Sequence, residues 1–304
     1  MANDKPVSLD DVLARVDNLP TISHVAIRVG ELVNDPKMGA REISKVMTQD
    51  PSLSAKVLKL VNSSYYAIPG GVTDVERAIS FIGFNALYQL VLTVSVFRAL
   101  KTPGGATFDA RGLWLHSLAV GSCSEALARR IGHPDPSTCF TAGLLHDFGK
   151  IALAKAEGER FAMALDSARR DGVPMHIAEA EVGLPPHERV GSRLAKRWRF
   201  PATLLIPIEN HHKRHHQSVR RDLSTPLLGM LDIVSLADDV CRFHAIGDSG
   251  SPKPEAPDAD ALDALGMTTL SLDGIYTDLM RVLEKSRTFL ALIDEPTAKL
   301  DKLG

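Results

Sequence analysis

Between residues 116 and 238, seven side chains stand out among those of the type that hold transition metals: His116, His146, Asp147, His187, His211, His212 and Asp238. Neutral imidazoles and carboxylates suit Fe, Mn, Zn or Ni. His116 falls on one helical face with Ala119, Val120, Cys123 and Leu127 at spacings of three, four, seven and eleven, so its ring points toward a core. His187 does the same with Val190, Gly191, Leu194 and Trp198, and Gly191 clears that face for the close approach of another helix or a ligand. His146 and Asp147 read as mid-helix in GLLHDFGKIAL, where a polar pair inside an apolar run must be hydrogen-bonded or bind a cation to offset its desolvation. His211 and His212 follow LLIPIEN, and Asp238 sits in IVSLADDV. Asp239 is its rival, about 100° away around a helix, and the position after Leu-Ala favours Asp238. The chemistry such a set supplies is metal-assisted hydrolysis.

The elements that must position these residues are helices. Apolar residues recur with helical period almost throughout, and no pair of runs alternates with a period of two around a hairpin turn, so the fold class is all-α. Helix starts are visible as Ser8 with Asp11, Asp50 before Pro51, and the box-like Thr73-Asp-Val-Glu76. A single helix is expected over Thr138–Ala156. The organisation reads as an N-terminal helical lobe over 8–105, a helical core with the candidate metal site over 106–246, an acidic Pro/Gly linker or loop over 247–263, and a C-terminal helical segment over 264–304.

Composition narrows the classes. With 44% apolar and 24% charged residues and a net charge of −2, the chain is of globular and not disordered type. The three cysteines show no CxxC pairing, which argues against a disulfide framework or zinc ribbon and suits a reducing cytoplasm. The acidic start MANDKPVSLDD is no secretory leader, and the apolar run 86–100 is short of a bilayer span, so no membrane segment is expected. A basic segment over 189–221 reads as a solvated face or as an electropositive rim that steers a phosphorylated small molecule or nucleotide. Only Trp198 and Phe200 interleave with it, which argues against nucleic acid. Taken singly, His24, His176 and His244 read as hydrogen-bonded core histidines, and His215 and His216 as part of a solvated turn, or as two i,i+4 pairs with His211 and His212 should that segment stay helical.

The order His116, His146-Asp147, His187, His211-His212, Asp238 resembles the HD superfamily. That resemblance implies a helical bundle with His116, His146, Asp147 and Asp238 around a first metal and His187, His211 and His212 around a second, with Lys150 in an HDxGK string. LPTISHVAIRVGELV, ISKVMTQDPSLSAKVLKLVNSSYY and VERAISFIGFNALYQLVL are similar to the N-terminal part of the HDOD family, the HD-related output domains of bacterial signalling proteins, with a match continuing to about residue 243. The family resemblance implies a regulatory or interaction module with a protein partner in a signalling pathway. Typical members have lost much of the metal set; this sequence keeps it. In that respect it resembles the HD-GYP cyclic-di-GMP phosphodiesterases, yet KRHHQSVRRDLSTP follows the His pair, with no Glu directly after it and no GYP signature, and Gly112 stands where some relatives place an acid four residues before His116. Two functions follow: a signalling module with a mono- or dinuclear site, or a metal-dependent phosphohydrolase in which Asp147 bridges two divalent ions and Lys150 neutralises a phosphate oxygen.

Overall fold

A computed structural model describes residues 6–17, 22–33, 35–100 and 109–285; all regular structure among them is helical, with no strand. They fall into two compact units, one built from helices of residues 20–101, the other from the first helix and from residue 109 onward to 280.

The first helix, α1 (Leu9–Asp17), opens with the expected reciprocal cap: the Asp11 amide donates to Ser8 Oγ at 3.1 Å and Ser8 Oγ donates to Asp11 Oδ2 at 2.6 Å. The unit over 20–101 holds α2 (His24–Val33), α3 (Ala40–Met47), α4 (Pro51–Val61) and α5 (Val75–Ala99). Asp50 caps α4 by accepting from the Leu53 amide, with Pro51 at the first helical position where no N–H is needed. At α5 the cap is Asp74, which accepts from the Arg77 amide, and not the Thr73 box expected: Asp74 is the residue with extended backbone, so its carboxylate faces the free amides. Gly83, at φ +81°, breaks α5 internally. By length and composition α5 is apolar enough to cross a membrane, but 56% of its most apolar window is buried in the fold, where it packs on α2, α3 and α4 as a core helix.

The second unit adds α6 (Ala110–Arg130), α7 (Pro136–Leu145), α8 (Phe148–Ala156), α9 (Gly158–Asp171), α10 (Met175–Glu181), α11 (His187–Arg197), α12 (Ala202–Asn210), α13 (Gln217–Arg221), α14 (Thr225–Phe243), α15 (Ala259–Ala264) and α16 (Thr269–Lys285). The helix expected over Thr138–Ala156 is in fact two. His146 ends α7 and Asp147, at φ −103° and ψ 6°, starts α8, with the Lys150 amide closing a tighter turn onto the Asp147 carbonyl. The apolar period runs through LLHDFG without interruption, so sequence periodicity alone does not mark this break.

Two glycine contacts set where the site-bearing helices cross. A Cβ on Gly143 of α7 would lie 2.8 Å from the Val120 carbonyl oxygen of α6, and one on Gly149 of α8 only 2.1 Å from the His187 carbonyl oxygen of α11. Gly191 is filled from the other side by Gly149 and Ile208, so the space it clears is taken by helices and not by a ligand. Replacing Gly149 with Ala should force α8 off α11 and cost about 2–3 kcal/mol, a fall in Tm of roughly 5–10 °C. Gly158→Ala, at a helical position with open space, should leave the melting curve unchanged or slightly raised; equal melting of the two variants would refute the crossing argument.

Candidate metal centre

Asp147 is the point on which α6, α7, α8, α11 and α12 converge. It is 1% exposed, so the cost of burying its charge falls on its neighbours. Its Oδ2 accepts from Lys150 Nζ at 2.6 Å and lies 3.3 Å from His146 Nε2 and 4.0 Å from His116 Nε2. Its Oδ1 lies 3.1 Å from His187 Nε2 and 3.5 Å from His211 Nε2, and His187 Nε2 is 3.2 Å from His212 Nε2. Asp238, on α14, sets Oδ1 at 3.0 Å from His116 Nε2 and 3.8 Å from His146 Nε2. All seven residues singled out in the sequence therefore meet, in two groups that share one carboxylate. Asp239 points away, onto Arg242.

Three of the imidazoles are aimed by their outer nitrogens. His146 Nδ1 pairs with the Gly143 carbonyl at 2.7 Å, His211 Nδ1 with the Pro207 carbonyl at 3.0 Å, and His187 Nδ1 with the Glu179 carboxylate at 2.9 Å. A ring whose Nδ1 donates outward keeps an Nε2 lone pair facing inward, the arrangement of a metal-ligating histidine. Glu179, fully buried on α10, also accepts from the His187 backbone amide at 2.7 Å, so it caps the start of α11 and orients the ring at once. Arg242 holds the other oxygen of Asp238, leaving Oδ1 for the site.

Four atoms pointing into this space have no hydrogen bond despite burial: Nε2 of His116 and of His146, and Oδ1 of Asp147 and of Asp238. Native interiors rarely leave such atoms unmatched. Divalent metal fits the donors gathered here: His116, His146 and Asp147, with Asp238 beside them, form one group, and Asp147, His187, His211 and His212 the other.

The buried charges act on one another. Burial opposes ionisation of Asp147, but His146 and Lys150 outweigh it and hold the carboxyl well below its ordinary range. Asp238 is likewise held down, chiefly by Arg242 against the cost of burial. Burial pulls His146 and His187 down, yet the adjoining carboxylates, Asp147 for the first and Glu179 for the second, push each up to about 9. His211 and His212 are lowered, mainly by burial.

Lys150 sits differently from the phosphate-facing role expected of it. Its ammonium is 2% exposed and donates to Asp147 Oδ2 and to the Ser249 carbonyl. The loop after α14 is fixed against the site by that bond and by the Asp248 amide on the Gly112 carbonyl. The basic segment is also less free than its composition suggests, because Lys196 pairs with Glu209, Lys213 with Glu188, and both Arg214 and Arg220 with Asp232. The segment after His212 leaves the helix, and His215 pairs with Asp258. Glu179 and Arg242 are not marked by the sequence pattern, and His176, expected as a hydrogen-bonded core histidine, is instead half-buried, stacks on His212 and leaves Nδ1 without a hydrogen-bond partner. Glu179 reads there as one of several acids in IAEAEVG, and only its distance of eight residues from His187 connects them.

A helical bundle with this His/Asp centre defines a protein of HD type. The profile of the HDOD domain matches residues 19–214, more than half of the sequence, and the chain belongs to the HDOD family. The match stops short of the expected residue 243, so Asp238 lies beyond it. An uncharacterized protein of Treponema pallidum (strain Nichols) is 24% identical over 203 residues, 66% of this chain; the chain spans only 39% of that relative's length. Two crystal structures share the fold. An HDOD domain protein of unknown function from Geobacter sulfurreducens matches with a TM-score of 0.70 at 24% identity, covering 94% of this chain and 97% of that one. A protein named as a candidate phosphohydrolase from Shewanella amazonensis SB2B matches with a TM-score of 0.66 at 24% identity, covering 93% and 98%.

Metal uptake should depend on pH with a definite sign. Binding needs a free Nε2, whereas the adjoining carboxylates push the pKa values of His146 and His187 up to about 9. Each displaced proton weakens apparent affinity tenfold for each pH unit below that value. Calorimetric titration of Mn2+ at pH 7.5 in buffers of different ionisation enthalpy should show proton release, and affinity should rise from pH 6 to pH 9. Affinity independent of pH would contradict the arrangement.

Proposed function

We propose that this HDOD protein holds a dinuclear divalent-metal centre and hydrolyses phosphate esters. The observation that carries the reading is the position of Asp147, whose two oxygens face two separate sets of imidazoles. A divalent pair bound there supplies Lewis acidity and lowers the pKa of water, the requirements of phosphodiester and phosphomonoester hydrolysis. This chain's own residues do the rest. Asp147 spans the two sets, Glu179 and the Gly143 and Pro207 carbonyls fix the rings of His187, His146 and His211, and Arg242 confines Asp238 to one free oxygen. Lys150 holds Asp147 Oδ2 and neutralises part of the buried negative charge, a positioning role.

A regulatory reading, in which the site stabilises or senses a ligand while the protein acts on a signalling partner, is favoured by one feature. Lys150 is enclosed, with its ammonium engaged by Asp147 and Ser249 and unavailable to a phosphate. The family membership and the Shewanella structural neighbour are compatible with both readings.

Selectivity for cyclic-di-GMP is not expected. Recognition of a particular base and ribose needs polar groups placed against them, and in the segment after His212 the side chains of Arg214, His215 and Arg220 are paired with Asp232 or Asp258. With Mn2+-loaded protein, kcat/KM for cyclic-di-GMP and for an aryl phosphodiester should differ by less than a hundredfold, about 2.7 kcal/mol of transition-state binding. Asp147→Ala should abolish both activities while the fold persists by circular dichroism. A larger preference would overturn the selectivity argument; no Asp147-dependent turnover of any phosphate ester would favour the regulatory reading.

A further inference from the structure

The imidazoles of the second ion site are not all held in the same way. His187 is fixed through Nδ1 by Glu179 and His211 through Nδ1 by the Pro207 carbonyl. Among the described residues nothing hydrogen-bonds Nδ1 of His212. Its ring instead lies face to face with His176, the second residue of α10, with centroids 4.3 Å apart and planes 22° from parallel. His211 meets the same ring tilted by 53°, and His187 meets it edge-on at 88°. His176 Nδ1 is buried without a hydrogen-bond partner, so the ring is placed by packing and not by a polar bond of that nitrogen. Both rings are partly exposed, whereas His187 and His211 are buried.

We infer that His176 is a positioning residue of the second ion site: its stacked ring substitutes for the missing Nδ1 bond and holds the plane of His212 so that Nε2 stays beside His187 Nε2 and the Asp147 carboxylate. An offset or parallel aromatic contact restrains a ring's tilt and rotation but leaves it less constrained than a hydrogen bond to a fixed carbonyl. Retention of the second ion then depends on a residue that touches neither ion. The inference rests on the dinuclear reading above, but concerns only the His212 side of it.

Equilibrium dialysis with Mn2+ alone, joined to electron paramagnetic resonance, separates the two. Wild type should bind two ions and show the spectrum of a spin-coupled pair. His176→Ala should keep first-ion affinity, lose roughly tenfold or more in second-ion affinity, and show an isolated-ion spectrum at limiting Mn2+. His176→Phe keeps a flat ring and has no nitrogen, so it should retain both ions and the coupled spectrum. Two ions bound by His176→Ala with wild-type affinity would overturn this inference and leave the dinuclear reading standing. Loss of the second ion in His176→Phe as in His176→Ala would also overturn it, since the nitrogen and not the stack would then be responsible. Wild type that binds no Mn2+ would overturn the dinuclear reading and this inference with it.

Discussion

The carboxylate of Asp147 is a full negative charge in a position with almost no contact with water, and such a charge persists only where cations and donors surround it. Much of the second unit is arranged to meet that requirement. The chain breaks between α7 and α8 so that His146 and Asp147 both turn inward. Gly149 lets α8 press against the start of α11, which brings His187 to Asp147 Oδ1. Lys150 reaches back one turn to Oδ2 and is itself held by the loop after α14. Even with these partners, Asp147 Oδ1 and three neighbouring ligand atoms lack hydrogen bonds. The protein alone leaves the site incompletely satisfied, and divalent ions are the group that the remaining donors fit.

The clustered His and Asp residues were legible in the sequence because each is a polar residue forced onto an apolar face, and because the HD order links residues more than a hundred positions apart. The all-α class was legible for the same reason of period. Local details that depend on backbone direction were less so. Thr73 and Asp74 are both good caps, and which one faces the free amides is decided by the extended backbone at Asp74. The break at Asp147 leaves the hydrophobic pattern intact, so the segment reads as one helix until its hydrogen bonds are seen.

The outer residues were hidden for a different reason. Glu179 and Arg242 look like ordinary surface charges in sequence, and only tertiary packing turns them onto His187 and Asp238. The basic segment misleads in the opposite sense: composition counts its charges, but buried or half-buried acids such as Asp232 and Glu188 take several of them up. Lys150 shows the same limit, since its place in the HDxGK string identifies a neighbour of the site without telling whether the ammonium faces a ligand or Asp147.

Crystals soaked with Mn2+ and measured at the manganese absorption edge would show the ions themselves. Two anomalous peaks are expected, both within about 2.3 Å of Asp147 oxygens, one beside His116, His146 and Asp238 and the other beside His187, His211 and His212. No peak at Asp147, or a peak bound only by exposed groups elsewhere, would contradict the assignment of this buried carboxylate as the bridge of a metal centre.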